Sequence, residues 1–186
     1  MHIAGSWILL IFILASSALI LLVLHLTRLG KLIHQRIPDR PHRRLFLGSI
    51  SFFVTFLAVR LLVAAITHHV GPFGYVEMGG QHIHHLVWGI LLLLITGYAM
   101  LAEVGRGDTP IAILQGRIIA LGFGIGAALT LDEFALWLTL DPQAYWSHAG
   151  RASIDAVILF GALLAMGTWG APLFRKIEKE EKKLGQ

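Results

Sequence analysis

The hydrophobic pattern of this chain is neither the two-residue alternation of a half-buried strand nor the narrow apolar stripe of a soluble helix. It is a series of long apolar blocks. Five of them approach the roughly 20 residues that a helix needs to cross a bilayer at 1.5 Å per residue. They run from about Trp7 to Leu26, Leu45 to Thr67, Ile83 to Ala102, Ile111 to Leu131 and Ser153 to Leu173. Each is predicted to be an α-helix, because lipid offers no partner to a bare backbone N–H or C=O. Short polar connections separate the blocks, and Pro38, Pro41, Pro72, Pro110 and Pro142 mark the breaks. The predicted fold is all-α, a polytopic bundle of five transmembrane helices. Residues 1–174 form one transmembrane domain and residues 175–186 a charged cytoplasmic tail. The first block is expected to stay in the protein. Its leader Met1–Ser6 carries no Lys or Arg, and the apolar run is too long for the core of a signal peptide.

Basic residues orient the bundle. Arg28, Lys31, Arg36, Arg40, Arg43 and Arg44 lie in the first connection, Arg106 in the third, and Arg175, Lys176, Lys179, Lys182 and Lys183 in the tail. The connections His68–His82 and Asp141–Gly150 carry no Lys or Arg. The positive-inside rule then puts the N-terminus outside and the C-terminus in the cytoplasm. The expected location is a bacterial cytoplasmic (inner) membrane.

Composition agrees. The chain of 186 residues is 56% apolar and only 14% charged, against about 25% charged residues in soluble domains. A net charge of +4 invites a nucleic-acid reading until the charges are located; most of them sit at the expected cytoplasmic face, so membrane lipids and not nucleic acid are the expected macroscopic partner. There is no cysteine, which excludes disulfides, thiolate metal sites and cysteine nucleophiles.

The candidate chemistry is imidazole and carboxylate. Of ten histidines, His82, His84 and His85 open the third block and His148 precedes the fifth. Asp132 and Glu133 close the fourth block, and Asp155 lies a turn inside the fifth. Three separate elements thus bring ligand-type side chains to one membrane depth. At ~100° per residue, helical phase puts His82, His85, Gly89, Thr96 and Glu103 on one stripe, with His84 on the other side. It also aligns Gly122, Gly126, Thr130, Glu133 and Trp137, and in the fifth block His148, Arg151, Asp155 and Ala162. Gly122 and Gly126 permit close helix approach.

An ionised group in a span costs several kcal/mol unless it is paired, coordinated or hydrated. Arg60 is the expected partner of Glu133 or Asp155, and Arg117 of Glu103. With no sulfur, the donor set suits a divalent metal, zinc first, with iron or manganese as alternatives. The expected ligands are His82, His85, Asp132, Glu133, His148 and Asp155. A metal-dependent hydrolase would use Glu133 or Asp132 as general base and Arg151 to stabilise a developing oxyanion, on a lipid or other small amphiphilic substrate. A second reading is a cation- or proton-binding or transport protein; so few spans would then call for a homo-oligomer. A third is a haem-binding subunit, and a fourth an accessory subunit of a membrane complex.

The stretches Gln81–Gly89 and Leu129–Asp155 resemble segments of bacterial integral membrane proteins. The arrangement also resembles membrane hydrolases of the ceramidase and adiponectin-receptor type, which hold zinc with three histidines and an aspartate inside a helical bundle. The seven spans usual there and the i, i+4 histidine pair on a late span are missing, so no residue role is carried over. The glycines of Gly122–Gly126 sit inside a span and read as helix packing, not phosphate binding.

Overall fold

The computed structural model describes residues 22, 37, 40–71, 74, 77–78 and 81–184. The first apolar block, apart from Leu22, lies outside the described residues, as do His25 and His34. The architecture is helical. Helix α1 spans Arg40–Thr67, α2 His85–Leu101, α3 Pro110–Asp132, α4 Phe134–Thr139 and α5 Arg151–Leu184. Two 3-10 turns, Pro142–Trp146 and His148–Gly150, join α4 to α5. Ahead of α2, strands β1 (Glu77–Met78) and β2 (Gln81–His82) pair antiparallel, Glu77 with His82 and Met78 with Gln81.

Among the described residues, three helices are long and apolar enough to cross a membrane: Arg40–Thr67, Pro110–Asp132 and His148–Thr168. Helix α2 is apolar too but has 17 residues. The described chain is helical, and by length and apolar composition these helices suit a membrane protein. The helices overrun the apolar blocks at their polar ends. Helix α1 begins at Arg40, five residues before the block, and α5 continues into the charged tail as far as Leu184. Backbone hydrogen bonds continue a helix wherever nothing breaks it, and long basic side chains reach water from the first turn beyond the apolar zone.

Helix α3 is the centre. Half of its membrane-length window is buried, against 22% for α1 and 28% for α5. It packs along α1 on one side and α2 on the other, and α5 covers α1 and part of α3. Small residues make this possible. A Cβ on Gly124 would lie 2.2 Å from the Gly48 carbonyl oxygen of α1, and one on Gly126 would lie 3.0 Å from the Gly89 carbonyl oxygen of α2. Gly122 faces the Thr96 methyl of α2. Between lipid-bathed helices there is little hydrophobic drive, so close backbone packing and dispersion carry the association. A cluster of Phe52, Ala127, Ala128, Val157 and Leu164 joins α1, α3 and α5, with Phe160 edge-on to Phe52 at 5.3 Å.

Buried hydroxyls satisfy themselves within their own helices. Thr96 donates to the Leu92 carbonyl at 2.7 Å, Thr130 to Gly126 at 2.8 Å and Thr168 to Leu164 at 2.8 Å. Helix ends follow local chemistry. The Thr109 hydroxyl accepts from the Ala112 N–H at 3.2 Å, with Pro110 at the first helical position. The turn from α2 to α3 passes through Gly105 at φ 78°, where a Cβ would collide with the Gly116 backbone.

Candidate functional site

Two consecutive carboxylates stand where α3 stops. Asp132 is its last residue, and Glu133 (φ −103°, ψ 22°) joins α3 to α4. The break sends the two side chains to different neighbours. Asp132 has no exposed surface. Its Oδ1 accepts from Arg60 Nε of α1 at 2.5 Å, and its backbone carbonyl accepts from Arg60 Nη2 at 3.3 Å. Its Oδ2 takes His85 Nε2 at 3.0 Å and the Tyr145 hydroxyl at 2.7 Å. Glu133 is buried as well. Its Oε1 takes His84 Nδ1 at 2.7 Å, and its Oε2 accepts from the Leu86 backbone N–H at 3.0 Å. His85 Nδ1 lies 3.7 Å from the same Glu133 Oε1.

The result is one row of polar groups, Tyr145–Asp132–His85–Glu133–His84, anchored on Arg60 and hydrogen-bonded except between His85 and Glu133, which approach to 3.7 Å. An ionised carboxylate only accepts, so neutral His85 carries its proton on Nε2 and neutral His84 on Nδ1. Arg60 is held from above and below. Its guanidinium carbon is 4.2 Å from the Tyr145 ring centre, 5.4 Å from Phe56 and 5.8 Å from Trp146. Burial and the neighbouring Asp132 push the Tyr145 phenol well above its ordinary value, so the hydroxyl stays a donor. The Ser153 hydroxyl of α5 accepts the Ala135 N–H at 2.9 Å and closes the floor. A cleft of about 10 Å³ among His84, Glu133, Asp141, Tyr145 and Ser153 has room for about one water. The His84 side chain is 25% exposed, so the chain of groups runs from a dry end at Asp132 to a wetter one at His84.

Of the residues expected from sequence, the structure brings together His85, Asp132 and Glu133. His82 falls in β2, ahead of them. His148 is exposed in a 3-10 turn. Arg151 and Asp155 are mostly exposed on α5 and face each other at 3.8 Å. The reason is rotational. The packed face of α5 is the stripe Ser153, Val157, Gly161, Leu164 and Thr168, and Asp155 lies about 200° from Ser153. Arg60 meets Asp132, where Glu133 or Asp155 was expected, and Glu103 meets Arg106 instead of Arg117.

The sequence reading passed over His84, Tyr145 and Ser153. Helical phase puts His84 opposite His85 only if both are helical, but His84 is extended (φ −69°, ψ 143°) and caps the helix. Tyr145 sits in a connection with no periodicity to place it. Ser153 had a legible signal, the run of small or hydroxyl residues at one face of α5.

Among the described residues no group of three or more His, Asp or Glu side chains could hold a metal ion. Both Asp132 oxygens are already taken by Arg60, His85 and Tyr145. No family model, curated protein or solved structure matches the chain.

Proposed function

We propose that the chain is a five-span protein of the bacterial inner membrane, N-terminus outside, whose His84–His85–Asp132–Glu133 cluster binds a proton arriving from the extracytoplasmic side. The observation that carries this reading is the charge balance of a largely enclosed cluster, in which each of two carboxylates is hydrogen-bonded to one imidazole. Asp132 and Glu133 bring two negative charges and Arg60 one positive. One proton shared by the two imidazoles makes the set neutral, the state that a low-dielectric site favours. On His85 that proton goes to Nδ1, 3.7 Å from Glu133 Oε1; on His84 it goes to Nε2. The basic connections at the opposite end support the orientation.

The test is infrared difference spectroscopy of the full chain in lipid nanodiscs between pH 5 and pH 8. The expected result is a coupled pair of changes in imidazole and carboxylate bands, both lost in His84→Gln/His85→Gln. Spectra in which that double variant changes nothing would refute the reading.

A further inference from the structure

The end of the bundle away from Asp132 holds a groove of about 640 Å³ between α1, α3, α5 and the α2–α3 turn, within the range of about 300–1,000 Å³ typical of small-molecule pockets. Its mouth carries Arg40, Arg44 and Arg106, and its wall is apolar, with Leu45, Phe123 and Leu164. Arg40 pairs with Asp108 at 2.7 Å, and Arg106 pairs with Glu103. Arg44 donates to the Gly105 carbonyl, a neutral partner, and crosses the face of α3 where Gly116 leaves room. The mouth therefore keeps a positive charge after its acidic neighbours are counted. A guanidinium bound to one carbonyl has further N–H groups to offer an anion.

Depth completes the picture. Phe123 lies thirteen residues beyond Pro110, about 20 Å along α3. The groove thus runs from a cationic rim into the apolar middle of the bundle. That profile is the shape of an amphiphile with an anionic head, and the ligand at hand in a membrane is a phospholipid. We infer that this groove is a binding site for one anionic phospholipid, its phosphate at Arg44 with Arg40 and Arg106 beside it, and an acyl chain along Phe123 and Leu164. The inference does not depend on the proton site at the other end. By the orientation proposed above the groove opens at the cytoplasmic leaflet, where anionic lipids attract basic side chains.

The full chain, purified in detergent, is offered equal phosphatidylglycerol and phosphatidylcholine and weighed by native mass spectrometry. One retained phosphatidylglycerol per chain is expected. Arg40→Gln/Arg106→Gln should reduce retention about fivefold per arginine removed, the equivalent of ~1 kcal/mol each. Because that variant also loosens the α2–α3 turn, a second measurement leaves the arginines intact. Phe123→Trp, read against the wild-type tryptophan background, should be quenched by phosphatidylglycerol brominated on its acyl chain and much less by the phosphatidylcholine analogue. Equal retention and equal quenching by the two lipids would overturn the inference. So would absence of quenching of Phe123→Trp by both brominated lipids.

Discussion

The two ends of the bundle use arginine in opposite ways. At the Asp132 end, Arg60 serves a carboxylate with no exposed surface and lies against three aromatic rings. At the other end, Arg40 and Arg44 serve the backbone carbonyls of Gly107 and Gly105. Both devices tie a connection to α1. Only the first buries a carboxylate completely, with its cation mostly enclosed, and burial makes a pair sensitive to the loss of a partner. The second pairs Arg40 with the exposed Asp108 at an open rim, where water screens both charges. The stability of the helix assembly should therefore depend far more on the first end than on the second.

The most damaging change should be Asp132→Ala. It leaves the mostly enclosed Arg60 without its counter-charge, a loss of up to about 3 kcal/mol. Thermal unfolding followed by size-exclusion in detergent should show it, and a midpoint unchanged from wild type would contradict the buried pair. Tyr145→Phe comes next. It removes a hydrogen bond to an ionised carboxylate, worth about 1.5–3 kcal/mol. The same residue gives a pH signature. Its phenol is raised in the folded state, so its contribution is complete below the ordinary tyrosine range near pH 10. Above that range the unfolded chain loses the proton first, and stability falls as pH rises. The alkaline decline should be shallower in Tyr145→Phe; parallel curves would show that the phenol is not the cause.

Gly124→Ala tests the frame between the ends. The added methyl meets the Gly48 carbonyl and the Ser51 hydroxyl of α1, and forcing the helices apart costs about 1–3 kcal/mol. Unfolding by a denaturing detergent gives the measure. The smallest effect belongs to Asp155→Asn. Asp155 is exposed beside Arg151, and exposed pairs contribute at most about 1 kcal/mol. A loss as large as that of Tyr145→Phe would mean that this carboxylate is part of the network after all.

These contrasts also show where the sequence was legible. The apolar blocks placed α1, α2 and α3 to within about five residues and the start of α5 to within two, although α5 continues to Leu184, eleven residues past its block. Membrane depth brought His85, Asp132 and Glu133 together, since side chains near matching ends of neighbouring helices have few places to go. Rotation was legible only where a helix had a marked face. Helix α3 has its glycines, so Gly122 and Gly126 turn to α2 as their spacing implies. For α5 the charged residues suggested one face, while Ser153, Gly161 and Thr168 set the opposite one by admitting Phe53 and Ser49 of α1 at close range. His84 and Tyr145 lie outside regular helix, where periodicity assigns nothing.

The Glu133 carboxylate has a consequence for motion. Its Oε2 accepts the Leu86 N–H in the first turn of α2, a donor with no acceptor of its own within the helix. Its negative charge also lies at the positive end of that helix's dipole. Glu133 is thus an electrical latch on a helix that is not its own, fastened from the spot where α3 ends. The position of α2 against the end of α3 is thereby tied to the charge on this one side chain.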